Sequence, residues 1–358
     1  MGARHSIEDR PSPEIESLTA SSSHSGRGRT LWLAVVLIVL TGVVVAAVDL
    51  DEVGRLVDRT DWSRVLPALV LTAVSYACAS AALVALGPPM GVAAPPGPMM
   101  RIAVISIAVN NLVSFGGVAG YSLRAALSKP HGVATGHSLA MSLTHAYLNN
   151  LLMSLLLAVG LLLLVGDPAT DPTWRRTLEI GGFLVLVFVL LSTAALFSGR
   201  VRGALISTIA RAATRLPVRW HISTTTALDE LDEALGRAAQ ALRRAPRAML
   251  WPFLLLGLHW CAIVGAFWYC LIAFTRSADL SVVVGGFSVA SAAGFASLLP
   301  GGVGVQDGSL AAVLSLQGVS LEAAVLAALL FRLVYYFVPF VVTLPLYASA
   351  LRSRTSEA

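Results

Sequence analysis

Long apolar stretches separated by shorter polar segments dominate the hydrophobic pattern of this chain. A helix that crosses the hydrocarbon core of a bilayer needs ~20 mostly apolar residues, and about eight stretches approach or exceed that length. The pattern therefore predicts an all-α polytopic membrane protein. The stretches lie near residues 31–48, 66–86, 102–120, 138–166, 178–198, 251–274, 281–299 and 320–349.

The amino-acid composition is typical of a membrane protein, and it limits the classes of partner that we expect. Of 358 residues, 56% are hydrophobic and 13% are charged, and the mean hydropathy is +0.77, values that soluble globular domains seldom reach. The basic residues are almost all arginines and are not clustered on a soluble domain, so we expect no nucleic-acid partner. Cys78, Cys261 and Cys270 lie in apolar stretches without metal-ligand spacing, so we expect packing roles, no metal and no cofactor.

Two glycine clusters interrupt the apolar pattern. Residues 114–124 read SFGGVAGYSLR, and residues 299–309 read LPGGVGVQDGS. Unpaired backbone amides and carbonyls in lipid cost several kcal/mol each, so a broken helix persists only beside a cavity or packed protein. Paired broken helices are typical of transporters, whose binding site lies between two halves. We therefore predict a binding site near both breaks.

The surroundings of the two clusters also match. A shift of 185 residues aligns the Gly-Gly-Val at 116–118 with that at 301–303, and a shift of 186 aligns the Gly-Val at 132–133 with that at 318–319. Such short matches arise by chance in a glycine-rich chain, but here each pair opens another apolar stretch. We interpret the match as an internal duplication.

Loop charge predicts the orientation, because basic residues near helix ends stay in the cytoplasm. The loop 199–250 carries nine arginines and four acidic residues and is the strongest cytoplasmic marker. If every stretch crossed the membrane once, this loop would face outward. An odd number of net crossings in each repeat element, 102–166 and 281–349, removes the conflict. The two elements then run in opposite directions, as an inverted repeat that opens one site to either side in turn.

The predicted layout places one membrane domain between two tails. Residues 1–30 have the composition of a disordered cytoplasmic tail, residues 31–350 form the membrane domain, and residues 351–358 form a second cytoplasmic tail. Inside the basic loop, residues 226–247 are expected to form an amphipathic helix at the cytoplasmic membrane surface or beneath the bundle. We expect a plasma-membrane location.

Charged and polar residues inside the apolar stretches are the first candidates for the site. An arginine or aspartate at the centre of a spanning helix costs ~3 kcal/mol, so a retained one faces a cavity or a partner. Arg124 follows the first break, and Arg332 lies deep in the last stretch. Gln306 and Asp307 follow the second break, where Asp307 could instead cap the helix that begins there.

The glycines are candidates through their backbones. The segment Pro300–Gly304 lacks side chains that would block approach, so its amides could meet a phosphate, although close helix packing is the alternative. The candidate glycines are Gly116, Gly117, Gly301, Gly302 and Gly304.

Asparagines and histidines in the apolar stretches have two interpretations each. Asn110, Asn111, Asn149 and Asn150 either hydrogen-bond across helices or bind substrate. His145 and His259 are either satisfied core residues or parts of a proton relay.

Two segments together resemble the transmembrane flippase-like domain of lysylphosphatidylglycerol synthases: NNLVSFGGVAGYSLRAALSKPHGV and LLPGGVGVQDGSLAAVLSLQGVSLEAAVLAALLFRLVYYFVPF. The most specific part is PGGVGVQDG followed by Gly318-Val319 and Arg332, whereas members often have Glu at position 307 and a basic residue at 306. The resemblance implies a membrane protein that moves an aminoacylated phospholipid between leaflets. Synthase members add a soluble aminoacyl-transfer domain, which we expect this stand-alone chain to lack.

The resulting hypothesis is a flippase-like transporter of a phospholipid or lipid-linked head group, and not an enzyme. In it, the glycine loops with Arg124 or Arg332 hold the phosphate, and Asp307 meets a cationic or hydroxylated head group. Two alternatives stay open: a lipid-modifying enzyme that uses Asp307 with His145 or His259, and a scaffold that acts through the loop 199–250. A cytoplasmic synthase partner and a homo-oligomer also stay open.

Overall fold

The computed structural model describes residues 50–113, 118–166, 172–213, 221–297 and 299–355. All regular secondary structure in these ranges is helical, which confirms the all-α fold class. The predicted tail 1–30, the first apolar stretch and the candidates Gly116 and Gly117 lie outside the described residues.

The described helices follow one another with short connections. In chain order they are α1 Leu50–Asp58, α2 Val65–Ala85, α3 Pro96–Val113, α4 Val118–Ser128, α5 Thr135–Gly166, α6 Pro172–Phe197, α7 Gly199–Ala213, α8 His221–Arg244, α9 Pro246–Ile272, α10 Leu280–Ala296, α11 Val305–Leu316, α12 Leu321–Phe331 and α13 Val338–Thr355. A π-helical turn, Arg332–Phe337, joins α12 to α13.

Five of the described helical segments are long and apolar enough to cross a membrane, which supports a multi-pass membrane protein. They are Trp62–Met90, Thr135–Gly166, Arg175–Phe197, Pro246–Ile272 and Leu321–Ser349. The predicted stretches 102–120 and 281–299 differ from these five, because each begins a helical hairpin whose second helix packs back on the first.

Contacts within the two hairpins show that each turns near its glycine cluster. In the first hairpin, α3 and α4, the Arg124 guanidinium donates from Nε to Ser106 Oγ over 3.1 Å. In the second, α10 and α11, Gly294 lies against the Gln306 side chain, and Gly286 lies against Leu314. In sequence, the first pairing is centred on position 115 and the second on position 300, and these centres are 185 positions apart, as the aligned glycine clusters are.

The segments that follow the two hairpins have the same order of features. A left-handed glycine follows the second helix of each, at Gly132 with φ 78° and at Gly318 with φ 86°. A long membrane segment then begins, α5 in the first case and α12, the π-helical turn and α13 in the second. Glycine suits both turns because side-chain-bearing residues are strained at positive φ.

Helix α2 packs along α9 in the antiparallel direction. The Asp61 amide, just before α2, donates to the Ala273 carbonyl, just after α9, over 3.0 Å. Further along the pair, Ser75 Oγ lies 2.8 Å from His259 Nδ1. Two other pairs of helices are also in contact, α5 with α10 and α3 with α13. The two hairpins are thus each held by the long segment that follows the other one.

An aromatic cluster fills the space between α9, α10 and the π-helical turn. The Phe267 ring lies 5.5 Å from the rings of Phe287 and Phe331, and Phe331 stacks on Tyr335 at 5.2 Å. These buried rings fix the position of the turn that carries Arg332.

The basic loop 199–250 is helical where it is described. The predicted amphipathic helix is present as α8, but it ends at Arg244 and not at 247, because Pro246 opens the next helix after a non-helical Ala245. Helix α8 packs on α5 and α7 and touches the short turn Pro88–Met90. An Arg202–Asp232 ion pair joins α7 to α8. The loop therefore packs against the bundle.

Candidate functional site

A cavity of about 470 Å³ lies where the two hairpins meet. Residues of α2, α3, α4, α5, α9, α10 and α11, the second hairpin tip and the π-helical turn line it. Pockets of this size are typical of small-molecule binding sites.

The second hairpin tip requires glycine for two separate reasons. Gly301, Gly302 and Gly304 have φ of 56°, 61° and 81°, a region that side-chain-bearing residues rarely adopt. A Cβ at Gly301 would also lie 2.7 Å from the Asn111 carbonyl oxygen at the end of α3. The two hairpins therefore touch backbone to backbone at the edge of the cavity.

Asp307 and Arg332 form an ion pair behind this tip. Arg332 Nε donates to both carboxylate oxygens at 2.8 Å, and Arg332 Nη1 donates to the Gly301 carbonyl at 3.0 Å. The Asp307 carboxylate also accepts from the Gly304 amide at 2.9 Å, so it caps α11. The side chains are 17% and 23% exposed for Arg332 and Asp307. The pair links the glycine turn to the last membrane segment.

Arg124 has a different environment. It is 3% exposed, donates to Ser106 Oγ and to Ser142 Oγ at 2.6 Å, and lies 5.9 Å from the Tyr121 ring centroid. Within the described ranges, no carboxylate lies within ion-pair distance of its guanidinium. Both serines donate to backbone carbonyls, Ala103 and Ser138, and so present lone pairs to Arg124. In the described part of the chain, the side chains that accept hydrogen bonds from Arg124 are therefore neutral.

Amide side chains line the cavity beside Arg124. Trp260 Nε1 donates to Asn149 Oδ1 at 3.2 Å, Asn111 Nδ2 donates to the Tyr76 hydroxyl at 3.1 Å, and the Tyr336 hydroxyl donates to Gln306 Oε1 at 2.9 Å. These bonds fix the groups and leave part of their donor and acceptor capacity unused.

Both candidate histidines line the same cavity and are held by backbone contacts. His145 Nε2 lies 3.1 Å from the Ala79 carbonyl, and His259 Nδ1 lies 3.1 Å from the Ser75 carbonyl. No Asp or Glu is among the described residues that line the cavity. The enzyme alternative requires Asp307 beside one of these histidines, and the structure does not bring them together.

The predicted site residues divide into two sets. Arg124, Gly301, Gly302 and Gln306 line the cavity, whereas Gly304, Asp307 and Arg332 lie behind its wall. Sequence reasoning missed Ser106, Ser142 and Trp260. The two serines stand 18 residues before and after Arg124, a spacing that carries no signal until the hairpin folds.

The fold and the cavity define a polytopic membrane protein with two helical hairpins that meet at an internal polar site. The family model of the lysylphosphatidylglycerol synthase transmembrane region matches residues 31–343, so the chain belongs to that family. A phosphatidylglycerol lysyltransferase from Bacillus subtilis (strain 168) is similar to it, with 24% identity over 268 residues, which cover 73% of this chain and 26% of the relative. The chain spans about a quarter of the length of that curated relative.

Proposed function

We propose that this protein moves a phospholipid, or another lipid-linked head group, between the leaflets of the membrane. Family membership supports a role connected with membrane lipids. The observation that carries the proposal is the buried Arg124 guanidinium, which lines the cavity without a carboxylate partner in the described part of the chain.

A phosphate is the ligand that this arginine fits best. A buried cation without an anionic partner is unfavourable by several kcal/mol, so a ligand that supplies the anion is favoured. A guanidinium presents a planar fork of donors that matches phosphate geometry. The phosphate of a lipid would therefore complete the charge balance of the cavity.

The proposed transport mechanism is alternating access by an inverted repeat. Three observations support it: the helix pairings of the two hairpins are centred on sequence positions 185 apart, the left-handed glycines that follow are 186 apart, and a shift of 185 also relates α2 to α9. Because α2 and α9 pack antiparallel, the elements that correspond would run in opposite directions. Rocking of one repeat against the other would then expose the cavity to each leaflet in turn.

The proposed orientation follows from the arginines of α7 and α8. These helices carry the predicted basic loop, so we place them and both termini in the cytoplasm, with the protein in the plasma membrane. The Asp307–Arg332 pair would hold the second hairpin tip closed against the last segment, which gives it a positioning role in the mechanism.

The test is lipid exchange in proteoliposomes. Wild-type protein should move fluorescent phosphatidylglycerol between leaflets, measured by dithionite accessibility, and Arg124→Met should lose that exchange. Arg101→Met is the matched control, because Arg101 lies exposed on the same hairpin. Phosphatidylethanolamine, phosphatidylinositol and lysyl-phosphatidylglycerol are tested in parallel, so that an aminoacylated substrate is included.

Three results would contradict the proposal. Wild-type protein that exchanges none of these lipids would contradict it. Arg124→Met with wild-type exchange would contradict the assigned site. Chemical conversion of a lipid without exchange would favour the enzyme alternative.

A further inference from the structure

We infer that the cavity selects an anionic phospholipid whose head group beyond the phosphate is uncharged and rich in hydroxyl groups, and disfavours cationic head groups such as lysyl esters. The inference rests on the proposed function, in which the cavity binds the head group of a lipid, and it narrows the class of lipid. It follows from the charges and the polar groups that face the cavity.

Arg124 sets the sign of the charge in the cavity. Of the described residues that line it, Arg124 is the one Asp, Glu, Lys or Arg side chain. A second cation brought beside Arg124 would be repelled, because like charges at low dielectric destabilise each other strongly.

The carboxylate that could recognise an amine is already occupied. Asp307 lies outside the lining, and its two oxygens accept from Arg332 Nε and from the Gly304 amide. An ammonium group in the cavity therefore has no acidic side chain to meet among the described residues. The predicted contact between Asp307 and a cationic head group would require Arg332 to leave first.

Two of the aromatic rings that line the cavity are less available to an amine than the others. The chain's own guanidiniums lie near two of the tyrosine rings, with Arg124 5.9 Å from Tyr121 and Arg332 4.9 Å from Tyr336. A ring that already faces one cation has little attraction left for another.

The remaining polar groups fit hydroxyls. Asn110 Oδ1 and Ser291 Oγ are buried and lack a hydrogen-bond partner in the described part of the chain, and both residues line the cavity. Buried polar groups of this kind are normally satisfied by a ligand or water. A glycerol or polyol head group offers donors and acceptors to the amides and the serine hydroxyl without adding charge.

The experiment is a binding comparison on the purified full-length chain, so that it does not depend on transport. Native mass spectrometry measures the affinity for phosphatidylglycerol, phosphatidylinositol and lysyl-phosphatidylglycerol with matched acyl chains. We expect the first two to bind about tenfold more tightly than the lysyl lipid. Arg124 attracts their net negative charge, whereas it repels the net positive charge of the lysyl lipid.

A charge variant sharpens the comparison. Asn150→Asp adds a carboxylate to the cavity lining, and we expect it to reduce or reverse the preference. The control is Glu322→Gln, which changes one charge by the same size at the start of α12, away from the lining. The inference predicts that this control leaves the preference unchanged, and a Glu322→Gln shift equal to that of Asn150→Asp would overturn it.

The outcomes separate the inference from the proposed function. Equal or tighter binding of the lysyl lipid by wild type would overturn the head-group inference and leave lipid transport standing. Selective binding of the hydroxylated lipids without exchange in proteoliposomes would support the inference and contradict transport. If Asn150→Asp folds as wild type and keeps the wild-type preference, the assignment of selectivity to cavity charge is wrong.

Discussion

Two arginines within the membrane domain, the partly buried Arg332 and the buried Arg124, have different partners. Each lies in an apolar part of the chain, but Arg332 meets the carboxylate of Asp307, whereas Arg124 meets two serine hydroxyls. Removal of one partner from a buried ion pair is costly because it leaves the other charge unpaired, whereas a charge without such a partner is available to a ligand. The difference separates a positioning role for Arg332 from a binding role for Arg124.

Breaking the Asp307–Arg332 pair should have the largest effect on stability. Asp307→Ala leaves the guanidinium buried without its carboxylate and removes the cap on the Gly304 amide, so we expect a loss of about 3 kcal/mol. Thermal unfolding of the detergent-solubilised protein measures it. The control is the apolar double variant Asp307→Leu with Arg332→Met, which should recover much of the loss because no buried charge remains unpaired. A double variant no more stable than the single one would contradict a paired-charge role.

Gly301→Ala should have the next largest effect. A Cβ there meets the Asn111 carbonyl at 2.7 Å and the residue sits at φ 56°, so we expect a loss of about 2 kcal/mol. Gly308→Ala is the matched control on the adjacent helix, where nothing lies within 4 Å, and should be neutral or gain about 0.5 kcal/mol. Equal unfolding temperatures for the two variants would contradict the tight contact between hairpin tips.

The correspondence between the two halves is tested by a pair of smaller changes. Gly132→Ala and Gly318→Ala each force a side chain into left-handed backbone with nothing within 4 Å, so each should cost about 1 kcal/mol through backbone strain alone. Gly97→Ala, also without neighbours within 4 Å and without positive φ, should cost less. A clear inequality between the first two variants would weaken the structural match of the halves.

Arg124→Met should have the smallest effect on stability. Because no described carboxylate pairs with the guanidinium, its loss leaves none of them unpaired, so we expect a loss of stability below about 1 kcal/mol or a gain. Thermal unfolding of Arg124→Met is compared with that of Arg332→Met. The second variant should be less stable, because it leaves the Asp307 carboxylate without its partner. A strong destabilisation by Arg124→Met would show that Arg124 is a structural residue.

Much of the fold could be predicted from sequence, because it depends on local composition. The apolar stretches located the membrane helices. The glycine pairs at 301–302 and 116–117 fall, in sequence, between the helix ends Ala296 and Val305 and between the helix ends Val113 and Val118. Proline at 246 could have bounded α8 correctly, since a helix seldom continues through a proline.

The pairing of side chains could not be predicted in the same way. Arg332 and Asp307 are 25 residues apart, and nothing local shows that they meet while Arg124 does not reach an acid. The contacts depend on how α11, the π-helical turn and the first hairpin pack in three dimensions. Sequence patterns therefore identified both arginines as candidates. Only their contacts in the folded protein distinguish Arg332, which has a positioning role, from Arg124, which has the proposed binding role.

The most direct test is leaflet exchange of phosphatidylglycerol by a graded series at one position: wild type, Arg124→Lys and Arg124→Met, each verified as monodisperse before reconstitution. Lysine keeps the charge but loses the donor fork. We expect exchange to be fastest for wild type, slower for the lysine variant and absent for the methionine variant. Exchange by Arg124→Met at the wild-type rate would contradict the assignment of Arg124 as the residue that holds the lipid phosphate.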